Sequence, residues 1–125
     1  MTSSAPSAPV SGEAAEQALE YLTEMSVDLR GGAILDAGGA VLASSGEAER
    51  WGAAATRLLA AADGAEGEPV EQVHVATEQG EVFAVRAEGL VALAVTDRFT
   101  LASLMAYDMR AVLRDLARGD AGAES

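Results

Sequence analysis

Lysine and cysteine are absent from this 125-residue chain, and histidine occurs once, as His74. All eight basic residues are therefore arginine. Without Lys there is no Walker-type phosphate loop, no Schiff base and no Lys-centred acid–base site. Without Cys there is no disulfide, thiolate nucleophile or Cys-based metal site. A single His removes most zinc patterns as well. Aromatic residues are scarce at 4%. The longest purely apolar run, Leu90 to Val95, is far shorter than the roughly 20 residues that span a bilayer. The N-terminal Met1 to Pro9 lacks the basic start and hydrophobic segment of a secretory signal. With cysteine missing too, the expected location is cytoplasmic. Twenty acidic residues against eight basic ones give a net charge of -12, which suits nucleic-acid binding poorly.

What remains is small and apolar. The chain holds 28 alanines and 13 glycines, and 50% of it is hydrophobic. Its length suits one domain, expected over residues 11–118, with flexible tails at 1–10 and 119–125. Alanine contributes little against the about 1.5–3 kcal/mol of a buried Leu, Val or Phe. A monomer's core is therefore thin, and self-association is a natural way to bury more.

Ser11 reads as an N-cap, with Glu13 in the first turn. Ala15, Ala18, Leu19 and Leu22 then recur at helical spacing, and Glu13, Glu16, Glu20 and Glu24 take the other side. This predicts an amphipathic helix over about 12–26. Two apolar runs around Ala37-Gly38-Gly39 predict a β-hairpin. Ser44 and Glu47 form a capping-box pattern before a helix over about 47–62 that carries Trp51, Ala54, Ala55, Leu58 and Leu59. Val70 to Thr77, Val82 to Ala87 and Leu90 to Thr96 read as strands. The last is apolar at every position and so is expected at the centre of the sheet. Thr100 is placed to cap a third helix, whose stripe is Leu101, Met105, Met109, Val112 and Leu116, with Leu104 and Leu113 on its flanks. The order is α-β-β-α-β-β-β-α, an α/β (α+β) sandwich.

This order and its local sequences resemble the Roadblock family, the dynein light chain roadblock-type proteins. "RGGAILDAGGAVLASSG" at 30–46 is similar to the family's first hairpin, and "AERWGAAATRLLAAADG" at 48–64 to the second helix of its small actinobacterial members. The stretch from Val70 to Leu116 resembles the three-strand meander and last helix. The resemblance implies a profilin-like five-stranded antiparallel sheet, with the first and last helices on one face and the middle helix on the other. It also implies a dimer in which third-strand edges pair and middle helices pack together. Family members are non-enzymatic regulators and scaffolds. The MglB-type members are partners of small Ras-like GTPases, and comparable actinobacterial proteins are associated with operons that also encode a sensor kinase and a GTPase.

The candidate dimer residues are then Trp51, Ala55, Leu58, Leu59, Val73, His74 and Val75. A strand edge rich in valine is a liability unless it is covered, and a two-fold contact would cover it. His74 has no nucleophile elbow near it in sequence, so it reads as a strand histidine facing solvent, a neighbour or the dimer seam. At a seam it would make association depend on pH. Trp51 reads as packing within the chain or across the dimer. Arg50 and Arg57 lie off the apolar stripe of the middle helix and are candidate partner contacts. The resemblance implies a GTPase activated through its own residues, with no arginine finger supplied. Arg110, Arg114 and Arg118 form an i, i+4 ladder near a helix C-terminus, where positive charge is favourable. Asp36 to Gly39 lacks the spaced acidic ligands of a calcium loop. No cofactor, metal or catalytic site is expected. The function implied is a dimeric regulator or scaffold that binds a small GTPase. A small-molecule-sensing or general interaction domain is the alternative, and would need an apolar pocket between sheet and helix.

Overall fold

The computed structural model describes residues 10–98 and 100–119. Eight elements follow one another: α1 (Gly12–Met25), β1 (Leu29–Asp36), β2 (Val41–Ser44), α2 (Ala48–Glu66), β3 (Gln72–Ala76), β4 (Glu81–Ala87), β5 (Leu90–Thr96) and α3 (Ala102–Ala117). The strands form one antiparallel sheet in the order β2-β1-β5-β4-β3. β5, apolar from Leu90 to Val95, lies at its centre as its composition predicts.

The local chemistry that stops and starts each element is visible. The Ser11 hydroxyl accepts from the Ala14 N–H at 3.0 Å and caps α1. In the β1–β2 hairpin the Asp36 carboxylate accepts from the N–H groups of Gly38 and Ala40, both at 2.9 Å, and Gly39 takes φ 96. β4 and β5 are joined by Glu88 and Gly89, both at positive φ, the backbone twist that two-residue hairpins favour. Between β3 and β4, Gly80 is buried, and a Cβ there would overlap the Thr96 carbonyl oxygen. Only glycine lets this turn lie against β5.

Three caps differ from expectation. The Ser44 hydroxyl donates to the Gly46 carbonyl, and the Ser45 hydroxyl accepts from the Gly32 N–H. Ser45 therefore ties the end of β2 to β1 while Ser44 bonds within its own turn, and α2 starts after Glu47 with no side-chain cap. α2 also runs past Gly64 to Glu66 and stops at Gly67, which is left-handed at φ 79 and donates to the Asp63 carbonyl. Thr100 donates to the Asp97 carbonyl, so Leu101 is the N-cap residue of α3. The tails expected at 1–10 and 119–125 lie outside the described residues, except for Val10, which packs against the core, and Gly119.

The sheet separates two apolar layers. α1 and α3 share one face with Ile34, Phe83, Val85, Leu90 and Ala92. α3 buries six side chains there: Met105, Ala106, Met109, Val112, Leu113 and Leu116. On the other face α2 buries only Ala55 and Leu59, against Ala33, Leu35, Ala84, Val91 and Leu93. Most of these are small or β-branched, so this second layer contributes much less burial. No helix among the described residues is long and apolar enough to cross a membrane.

Candidate functional site

α2 lies diagonally across its face of the sheet. At its N-terminal end the Trp51 indole rests on Gly31, and its Nε1–H donates to the Ser45 carbonyl at 2.8 Å. A side chain at position 31 would crowd the ring, 3.3 Å from its nearest atom. At the C-terminal end Asp63 takes both guanidinium nitrogens of Arg86 on β4, at 2.8 and 2.9 Å. The same carboxylate accepts from the Val70 N–H at 2.9 Å, and Arg86 donates to the Val70 carbonyl at 3.0 Å. The bond from Arg86, followed by that from Val70, holds the Asp63 carboxyl below the ordinary aspartate range. Its partnership with Asp63 raises Arg86 in turn. The two ends of α2 are thus pinned, one by packing and one by a planar, two-pronged ion pair.

This diagonal leaves part of the sheet uncovered. Strand register sets Val75 opposite Val82, and Val82 opposite Val95. Val95 in turn pairs with Gly31, under the indole. The result is a row of three valines ending at Trp51. Val75 is 39% exposed, while Val82 and Val95 are half-buried, as is Val73. Along the neighbouring flank of α2 stand Leu58, half-buried, and Ala54 and Ala61, exposed. This is an apolar surface with small residues on one side and β-branched residues on the other.

The row runs out to β3, whose far edge pairs with no strand among the described residues. β3 reads Gln-Val-His-Val-Ala, without proline, charge or bulge. Those are the devices that keep an open edge from pairing. The opposite edge is different. β2 has four residues, a register shift in its pairing with β1, and helices on both faces.

The sequence-predicted residues divide on this framework. Val73, Val75, Leu58 and Trp51 border the open surface. Ala55 and Leu59 do not reach it, because the sheet buries them at 2% and 7% exposure. They are core residues beneath the surface. His74 points to the other face. Its ring stacks on Phe83 at 4.5 Å, and its Nε2 lies 2.7 Å from Glu81 Oε1. With the carboxylate ionised, the imidazole N–H is the donor, so His74 serves a buried carboxylate of its own chain. Arg50 and Arg57 are exposed on the outer side of α2, and Arg50 makes only a long contact of 3.9 Å with Glu47. The arginine ladder of α3 is partly engaged: Arg110 donates to Gln72 on β3 at 2.7 Å, and Arg118 to Asp115 at 3.2 Å. Among the described residues no group of three His, Asp or Glu is placed to hold a metal ion.

No protein-family model matches the sequence, and no curated protein matches it. Solved structures do match. A Roadblock/LC7 domain from Streptomyces avermitilis superposes with a TM-score of 0.72 at 18% identity, over 83% of this chain and 95% of that one. This is the Roadblock/LC7 fold. MglB of Myxococcus xanthus shares it, at a TM-score of 0.71 and 12% identity over 91% of this chain and 92% of its own. So does an MglB in a tetrameric arrangement, at a TM-score of 0.63 and 18% identity over 91% of each chain. The three helices and five antiparallel strands of the Roadblock/LC7 fold stand here in the expected order and layers. Two residues of the open surface were missing from the sequence reading, Val82 and Val95. Their signal was the parity of each strand, which becomes usable only once register joins them to Val75.

Proposed function

We propose that this chain forms a homodimer through the β3 edge and the valine row beside α2, and that the dimer binds and regulates a small Ras-like GTPase within a signalling assembly. The observation that carries the reading is the open row Val75, Val82 and Val95 next to an edge with none of the usual protections. Such a surface is self-complementary under a two-fold axis: strand meets strand and helix flank meets helix flank. The fold shared with MglB, one example of which is tetrameric, supports association of copies.

The GTPase partner is inferred from that shared fold and from the sequence resemblance to MglB-type regulators. In this reading the chain supplies geometry, and the chemistry of hydrolysis belongs to the GTPase. Arg50 and Arg57, exposed on the outer side of α2, are the candidate contacts. A cytoplasmic location and a neighbouring sensor kinase fit the same picture. A ligand-sensing role has less support. In the clefts beside α2 the Asp36, Asp63 and Arg86 side chains are already bonded within the fold. The test mixes the purified protein with small Ras-like GTPases from its own source, loaded with GDP or a non-hydrolysable GTP analogue. A complex in one nucleotide state, weakened by R50E/R57E, is expected. Absence of binding to all of them in both states would overturn the reading.

A further inference from the structure

The face opposite α2 carries a second apolar surface, which the proposed dimer does not use. Where the end of α1 meets the start of α3, four large apolar side chains stand in water: Met25 at 39% exposure, Val27 at 92%, Leu101 at 64% and Leu104 at 54%. They line one open groove of about 130 Å3, with Asp28 and Asp108 in its walls. A cavity of about 150 Å3 takes a benzene-sized group, so this one has room for one aliphatic side chain. Tyr21, 58% exposed, extends the strip one turn back along α1. Leu101 and Leu104 were expected in or beside the core stripe of α3. The sheet instead takes Met105, Ala106 and Met109 and leaves both leucines outside. Scattered surface apolar residues need no explanation, but a contiguous set around a groove marks an interaction site.

The two charged residues that line this groove, Asp28 and Asp108, are both acidic. α1 carries Glu13, Glu16, Glu20 and Glu24 and no basic residue. Their i, i+3 and i, i+4 spacing sets like charges side by side, which disfavours the helix. Glu24 also stands in the last turn, where the helix dipole repels a carboxylate. None of the four makes an ion pair among the described residues. The nearby arginines are engaged: Arg30 with Asp97 and the Gln79 carbonyl, and Arg98 with partners of its own. The helix therefore keeps an acidic ridge that its own stability does not favour, with Glu16, Glu20 and Glu24 beside Ser44 and Ser45 rather than in the groove.

We infer that this groove docks a basic amphipathic segment of a partner protein. One apolar side chain of the segment enters between Val27, Leu101 and Leu104. Its Lys and Arg residues meet Asp28 and Asp108. A second copy of the chain is a poor occupant, since each protomer carries a charge of -12 and the same carboxylates would face one another. The inference does not depend on the partner being a GTPase or on the α2-face dimer.

The probe is a fluorescein-labelled helical peptide with Leu at i, i+3, i+4 and i+7 and Lys elsewhere, titrated with the full chain and read by anisotropy. Binding is expected, weakening as salt is raised. The L101S/L104S variant should lose about tenfold or more in affinity. The D28N/D108N variant should bind more weakly and with a shallower salt dependence. E66Q/E78Q, which removes distant carboxylates, should bind as the parent does. Leu101, Leu104, Glu66 and Glu78 are exposed and Asp28 and Asp108 half-buried, and circular dichroism confirms that each variant is folded. Equal affinity of L101S/L104S and the parent would overturn the inference, as would equal binding of a peptide with Glu in place of Lys. Self-association that L101S/L104S abolishes would give the groove to a second copy and overturn it too.

Discussion

Replacing Val75 by aspartate should dissolve the dimer and leave the protomer folded. Complete burial of a valine is worth about 1.5–3 kcal/mol. The protomer already covers most of Val75 and leaves 39% exposed, so its partner adds about 0.6–1.2 kcal/mol. Two-fold symmetry counts this twice. Aspartate removes that gain and places an unpaired carboxylate in the contact on each side. Desolvating an ion costs several kcal/mol when burial is complete, and about 2 kcal/mol per side is a low figure for a partly covered one. The total exceeds about 5 kcal/mol, more than a thousandfold in the dimer constant at about 1.4 kcal/mol per decade. Within the protomer the position is an exposed one on an edge strand, where the loss is about 1 kcal/mol or less. Sedimentation velocity over a concentration series, with thermal melting by circular dichroism, separates the two effects. Val27→Asp, on the opposite face, is the control that should associate as the parent does. A folded V75D protein with the parent's dimer constant would refute the placement of the interface.

Other consequences are simpler to check. Trp51 is the only tryptophan and ends the valine row, so its emission should shift to the red on dilution through the dimer midpoint; constant emission would mean its surroundings do not change on association. Gly80→Ala should destabilise the fold by about 1–3 kcal/mol through overpacking against β5, read as a lower urea midpoint, whereas Gly64→Ala, with open space around it, should not. The Asp63 carboxyl is held below its ordinary value of about 3.9, so folding favours its ionised form. Its contribution is complete above that ordinary value and is lost as pH falls through the lower, folded value. Asp63→Asn should therefore lower the melting temperature at neutral pH, and the gap from the parent should close in strong acid; a gap independent of pH would place the effect elsewhere.

Much of the fold was legible because periodicity and turn chemistry agreed. β5 was bounded correctly by an unbroken apolar run between Gly89 and Asp97, and α1 by Ser11 and its leucine stripe. The errors came where a local signal had a non-local use. Ser44 and Glu47 match a capping box, but Ser45 is held by the Gly32 N–H across the hairpin, and the chain cannot turn into the helix until Glu47. The second helix was expected to end near residue 62, yet it runs on through an exposed Gly64, since Asp63 is anchored by Arg86 and Gly67 ends the helix. The candidate interface was half legible. Val73 and Val75 followed from alternation in one strand. Val82 and Val95 needed the register of three strands, and the burial of Ala55 and Leu59 needed the angle at which α2 crosses the sheet. His74 was open between solvent, neighbour and seam. Its partners, Phe83 and Glu81, lie on the next strand in positions that only pairing defines.

The central position of β5 also sets when the molecule can become itself. β1 and β4 have no common neighbour until Leu90 to Thr96 is present, for β5 alone joins the first hairpin to the meander. A nascent chain that has reached Ala87 holds two separate ribbons, each with an apolar face and an open edge. Both apolar layers stay incomplete, because Leu90, Ala92 and Ala94 of one and Val91 and Leu93 of the other are still to come. On a ribosome adding about 5–20 residues per second, nearly all of the sheet waits for its last strand. The long separations this imposes, residue 29 against residue 96 among them, place the fold among those that form late and all together. Chains released before residue 90 would be substrates for proteases and chaperones, with no smaller native unit to fall back on.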